Sequence, residues 1–244
     1  LRRTQEIAAC TFSFLPTASH VFVVVSGDIA FSGEPDQYGW AKCFFDGLRS
    51  SIQKETDSPV TFIVAPGNHD CDFNLNNATR KMLVKQLTES ESPEVDASVI
   101  ESCTALQGTF FKFREGLEST PDVEDDHLWR TSTHQVEGKA IAFDCLNISW
   151  VSQRQEEPGK LYFPVERYLD KRSNGADIRI VVMHHPLNWF GQNMYRPFRT
   201  FIRQLANIVI SGHEHQGNVG INNDAESDKS AFVEGCVLQS DSKD

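Results

Sequence analysis

The chain has no C-x-x-C pair. Its six cysteines, Cys10, Cys43, Cys71, Cys103, Cys145 and Cys236, are scattered, which excludes a cysteine metal knuckle and a thioredoxin-like redox motif. A disulfide framework does not suit a chain of this length, whose 17 Phe supply ample bulk for a core. Reduced, mainly buried thiols and a cytoplasmic setting are expected instead. Long apolar runs are also lacking. The longest, near Val21–Val25, falls far short of the roughly 20 residues that cross a bilayer as a helix. Basic residues are in the minority, 23 Lys and Arg against 34 Asp and Glu, for a net charge of −11. Counterion release gives such a chain no help on nucleic acid, so a broad nucleic-acid grip is not expected. Ions held by its carboxylates would reverse the sign locally. No internal repeat, low-complexity tract or secretory leader is visible. The chain opens on Leu1 rather than Met, as an excerpt would.

What is present reads as one large α/β domain spanning residues 1–244. Leu1–Phe14 has amphipathic helical spacing through Ile7, Cys10 and Phe14, and Pro16 ends it. His20–Val25 is apolar and β-branched without alternation, the pattern of a strand covered on both faces. Tyr38–Lys54 has helical periodicity, and Val60–Val64 is a second buried strand. Helix, strand, helix, strand implies parallel strands with helical crossovers. Thr79–Leu87 and Val99–Leu117 read as helices. Thr88–Ser98 and Ser119–Asp126 read as exposed acidic loops, and residues 88–126 as an insertion or cap. Trp129–Val136 and Ala140–Leu146 flank Glu137-Gly138-Lys139 as a hairpin would. Pro164–Arg172 and Pro197–Ala206 are predicted helices, and Ile178–Met183, Asn207–Ser211 and Ala231–Leu238 predicted strands.

One pattern recurs. Val21–Val25 leads to Asp28, Val60–Val64 to Asn68, His69 and Asp70, Ile178–Met183 to His184, and Asn207–Ser211 to His213 and His215. Ligands bind beyond the carboxyl ends of strands in α/β sheets, so these loops are expected to converge. Imidazole, carboxylate and amide oxygen without thiolate favour Mn, Fe, Zn, Co or Ni. The set is too rich in nitrogen for calcium. His213 and His215, at i and i+2, face the same side of an extended segment. Two-metal centres are a standard answer to phosphoester hydrolysis, and Asp28 is the obvious bridging carboxylate.

Ser26-Gly27-Asp28, Gly67-Asn68-His69-Asp70, His184-His185-Pro186 and Gly212-His213-Glu214-His215 resemble, in order, the signature blocks of the calcineurin-like metallophosphoesterases. The resemblance spans about residues 21–238. It implies two packed mixed sheets flanked by helices, a four-layer α/β/β/α sandwich. It implies two divalent metal ions, with Mn favoured, and hydrolysis of a phosphodiester or phosphomonoester by attack of a metal-bound hydroxide. Asp28 would bridge the metals, Asn68, His184 and His213 would complete one, and His215 would join Asp28 on the other. His69 would stabilise the transition state or protonate the leaving oxygen, and Asp70 would hold the His69 tautomer. His185 reads as a neighbour that lines the site. Trp189 and Phe190 suit either packing beneath their loop or a stacking wall.

The family's opening Asp-x-His block has no counterpart here. Before Asp28 there is only His20 and no Asp. We expect the chain to begin inside the domain, with the first strand upstream of Leu1. The alternatives are a catalytically impaired binding module that keeps the fold, and a nuclease domain of a larger assembly with further domains outside this chain.

Overall fold

The computed structural model describes residues 2–117, 123–173, 175–214, 217–222 and 230–235. Its strands form two sheets. In the smaller, β1 (Val21–Val25) pairs in parallel with β2 (Val60–Val64), with Val21 opposite Val60 and Val25 opposite Val64. The larger contains β3 (Val123–Asp125), β4 (Trp129–Val136), β5 (Lys139–Leu146), β6 (Ile178–Met183), β7 (Ile208–Ser211), β8 (Asn218–Asn222) and β9 (Ser230–Glu234). Its order is β3-β4-β5-β6-β7-β9-β8, with β5, β6, β7 and β9 parallel and the outer pairings antiparallel. The helices are α1 (Arg2–Ala9), α2 (Pro35–Ile52), α3 (Ala78–Glu89), α4 (Ala97–Thr104), α5 (Gly108–Leu117) and α6 (Gln192–Leu205).

Three apolar clusters define four layers. Strand alternation sends Phe62 and Val64 of β2 toward helices, where they join Phe45 and Leu48 of α2 and Phe110 of α5. The opposite faces bring Ile63 and Ala65 against Phe143, Cys145 and Val182, so the two sheets pack face to face. Beyond the large sheet, Val181, Met183 and Val209 meet Phe198, Phe201 and Ile202 of α6 and Val84 and Leu87 of α3. This is the expected α/β/β/α sandwich. The apolar runs lack alternation because both of their faces are covered.

Several boundaries differ from the sequence reading, each for a packing reason. α1 stops at Ala9, and the chain turns through Phe14 into a 3-10 turn, Leu15–Thr17. The stretch 99–117 is two helices, interrupted by a 3-10 turn at Ala105–Gln107. There the buried Gln107 amide exchanges hydrogen bonds of 3.2 and 2.7 Å with Asn147. α4 feeds Ile100 and Cys103 into the large-sheet core, and α5 feeds Phe110 and Phe111 into the small-sheet core. Val165–Ser173 is 3-10 rather than α, with non-helical backbone at Tyr168. That residue is anchored by its hydroxyl, which donates to Asp126 Oδ2 at 2.8 Å, and by stacking on Trp129. α6 begins five residues before the expected Pro197, which sits inside it; burial of Phe198, Phe201, Ile202 and Leu205 on one face outweighs the proline's lost donor. The acidic run before Trp129 is not solvated throughout. Asp125 pairs with Arg114 and Arg130, and Asp126 with Arg167. The Glu137-Gly138 turn has positive φ at both residues, +50° and +77°, as a two-residue hairpin requires.

Candidate metal centre

β1, β2, β6 and β7 end at the same edge, where the two sheets meet. The ladders continue past the strands: Ala65 N–H donates to Val25 at 3.0 Å and Gly212 N–H to His184 at 2.9 Å. Three side chains then gather around one atom of a fourth. His184 Nε2 lies 2.9 Å from Asn68 Oδ1, 3.1 Å from His213 Nδ1 and 3.2 Å from Asp28 Oδ2. Of the residues singled out from the sequence, Asp28, Asn68, His184 and His213 are therefore brought together. His69 borders them, its N–H donating to Asp28 Oδ1 at 3.0 Å. His215 lies outside the described residues.

The backbone is shaped for this approach. Asp28 and His213 adopt positive φ, +56° and +72°, a conformation that is costly away from glycine and clusters at functional sites. Gly27 has φ +112°, and a Cβ there would stand 2.5 Å from His184 Nδ1. A Cβ on Gly67 would overlap the Asp28 carboxylate. The glycines of both blocks are thus required by contact distance.

The donor set fits a divalent cation. His184 Nδ1 faces the Ser26 carbonyl at 2.8 Å. A carbonyl only accepts, so Nδ1 carries the proton and Nε2 of the neutral ring presents a lone pair. That lone pair meets a carboxylate oxygen, an amide oxygen and a second imidazole nitrogen. Such crowding of acceptors is repulsive unless something positive lies among them, and two nitrogens with two oxygens suit a borderline metal. Without an ion the same need is met by a proton, which Asp28 draws onto His184 Nε2 and which a bound cation would displace. Burial alone would raise the Asp28 pKa, but the His184 hydrogen bond and charge, with the His69 N–H, bring it down to about 2. Burial opposes charge on His184, yet Asp28 outweighs it and raises that pKa. Burial, then the neighbouring His185 and His184, lower His213 to about 4, so it offers a lone pair at neutral pH.

Asp70 departs from its expected task. Its fully buried carboxylate accepts from Gly67 N–H at 2.8 Å, Ala30 N–H at 2.9 Å, Ile29 N–H at 3.3 Å and the Tyr38 hydroxyl at 2.9 Å. Burial, then the Asp28 charge, push its pKa up to about 6 against those donors. The His69 ring is held instead by the Phe31 carbonyl, 2.7 Å from Nδ1. The reason is direction: the Asp70 side chain turns beneath the 29–32 loop, while His69 is exposed on the outer side. His20 lies at the other end of β1, stacked on Phe22 and 2.9 Å from Thr61 Oγ1.

One partner, Glu156, left no trace in the motifs. His185 is fully buried, with Nε2 3.0 Å from Glu156 Oε2. Donor atoms of His184, His185 and His213 lie within 4.8 Å of one another. Glu156 comes from the irregular stretch between β5 and β6, where no spacing marks it. Trp189 packs edge-on to His213, centroids 4.2 Å apart, and donates to Glu214 Oε1 at 2.6 Å. Phe190 is core, against Phe198.

A family model for calcineurin-like phosphoesterases matches residues 5–217. The chain belongs to that family, a class of metal-dependent phosphoesterases whose members typically use a pair of metal ions. No curated protein matches the chain. Among solved structures, phosphopantetheinyl hydrolase from Mycobacterium tuberculosis aligns over 94% of this chain and 83% of its own, with 14% identity and a TM-score of 0.43. Among the described residues, no helix is long and apolar enough to cross a membrane.

Proposed function

We propose that this chain, as a single domain, hydrolyses phosphate esters, with phosphodiesters favoured over monoesters, at the junction where Asp28, Asn68, His184 and His213 meet. The observation that carries the reading is the convergence of three acceptor atoms, from Asp28, Asn68 and His213, on His184 Nε2. Asp28, Asn68, His184 and His213 would hold one divalent ion, Mn favoured, with Asp28 shared with a second. When bound, the ions supply Lewis acidity and a nucleophile available at neutral pH. The protein's own residues do the rest. The Ser26 carbonyl fixes the His184 tautomer, an orienting role typical of groups behind metal-binding imidazoles. The His69 N–H fixes the Asp28 carboxylate. The His69 ring, exposed and steered through Nδ1 by the Phe31 carbonyl, directs Nε2 outward. There it can hold a proton and pass it to the leaving oxygen.

The test is turnover of bis(4-nitrophenyl) phosphate by the chain with added Mn²⁺, Fe²⁺, Zn²⁺, Co²⁺ or Ni²⁺. Activity that EDTA abolishes and metal restores is expected. No turnover with any of these ions would count against the reading.

A further inference from the structure

Phe31 is 79% exposed, the most exposed of the chain's large apolar side chains among the described residues. Single exposed apolar residues are ordinary on mobile surfaces. This one is held at every backbone polar group. Its N–H and that of Ser32 both donate to Gln37 Oε1 at 2.9 Å. The preceding N–H groups, of Ile29 and Ala30, donate to the buried Asp70 carboxylate. Gln37 Nε2 donates in turn to Ser32 Oγ at 2.7 Å. The Phe31 carbonyl accepts from the His69 ring, and the two rings lie 5.5 Å apart at 36°.

Four consecutive amides, satisfied by two side chains, thus fix an apolar ring in solvent beside the candidate proton donor. Leaving such a ring wet forgoes burial, and fixing the loop costs conformational entropy. Both are offset if a ligand covers the ring, because the ordering is done before binding. The ring adjoins His69, and His69 is the residue placed on the leaving-group side, so the covering group is part of the alcohol that departs.

We propose that Phe31 is a leaving-group platform that selects phosphate esters of alcohols bearing a planar aromatic group. The inference rests on the functional reading above and names the substrate class of the same site. A planar ring would stack on Phe31 while its ester oxygen lies at His69.

The experiment compares benzyl and cyclohexylmethyl phosphate esters, as monoesters and as methyl diesters. Both release a primary alkoxide and differ chiefly in the planarity of the ring. The wild-type chain should prefer the benzyl ester in kcat/KM. In Phe31→Ala the benzyl-to-cyclohexylmethyl ratio should fall by roughly 5- to 150-fold, the span that stacking on one aromatic side chain gives. Phe31→Trp should restore it. An unchanged ratio in Phe31→Ala would overturn the proposal. If the wild type hydrolyses neither ester, turnover of bis(4-nitrophenyl) phosphate decides the functional reading separately, and calorimetry with benzylphosphonate and cyclohexylmethylphosphonate decides the platform on its own. A benzyl preference in affinity that Phe31→Ala removes would support it, and no preference would sink it.

Discussion

The carbonyl oxygen of Ser26 lies 2.8 Å from Nδ1 of His184, although 158 positions separate the two residues. One belongs to the loop after β1 of the small sheet and the other to the loop after β6 of the large sheet. This contact ties the two sheets together at their shared edge and decides which nitrogen of His184 faces Asp28.

Asp28→Ala should abolish tight binding of Mn²⁺. It removes the carboxylate against which Asn68, His184 and His213 are assembled. The loss measured by calorimetry should exceed the roughly 10–100-fold that altered outer-shell partners cost. Retained affinity would show that the ion lies elsewhere.

His69→Ala should leave metal affinity in place, since its ring nitrogen is bonded to the Phe31 carbonyl and only its backbone N–H meets Asp28. Turnover should fall by about 10²–10⁴-fold, as for a lost general acid. Equal loss of metal in His69→Ala and Asp28→Ala would reverse the roles given to the two residues.

Asp70→Ala should act first on stability. It strands the N–H groups of Gly67, Ile29 and Ala30 and the Tyr38 hydroxyl in a dry setting. With about 1–3 kcal/mol for each buried donor left unpaired, a loss of at least about 3 kcal/mol in urea denaturation is expected. Tyr38→Phe, which removes one donor, should cost much less. Near-wild-type stability in Asp70→Ala would contradict this account.

Acid should weaken the fold through the inter-sheet histidines. Burial lowers the pKa of His20, and burial and then the His20 charge lower that of His134; the two rings are 6.0 Å apart. A folded pKa below the unfolded value of 6.5 means the native state takes up protons less readily. The stability is therefore fully present above that pH and drains away as pH falls below it. The urea midpoint should drop between pH 7.5 and 5, and the drop should shrink in His134→Phe. An identical pH dependence in the variant would exclude His134 as its source.

Much of this arrangement was legible in the residues themselves. Val21–Val25 is an unbroken apolar run, Val60–Val64 and Ile178–Met183 are interrupted only by Thr61 and Arg179, and each delivers polar side chains just past its end, which is why the gathering of Asp28, Asn68, His184 and His213 could be anticipated. The division of these strands between two sheets could not be read from periodicity, because a strand buried on both faces looks alike in either. The Ser26 carbonyl that sets the His184 tautomer is backbone and leaves no mark in residue identity. Glu156 reaches His185 from an irregular stretch without a motif. β3 was hidden by charge: Glu124 and Asp125 read as solvated residues until Arg114 and Arg130 are seen to neutralise Asp125.

The candidate ligands come from two stacked layers, Asp28 and Asn68 from one and His184 and His213 from the other. An ion clasped there works as a rivet, and its hold depends on how the layers slide against each other. Residues far from the ion, such as Ile63, Phe143 and Val182 at the sliding surface, then become levers on its affinity. Trimming any of them would be felt first as a looser grip on metal, before the sandwich itself gives way.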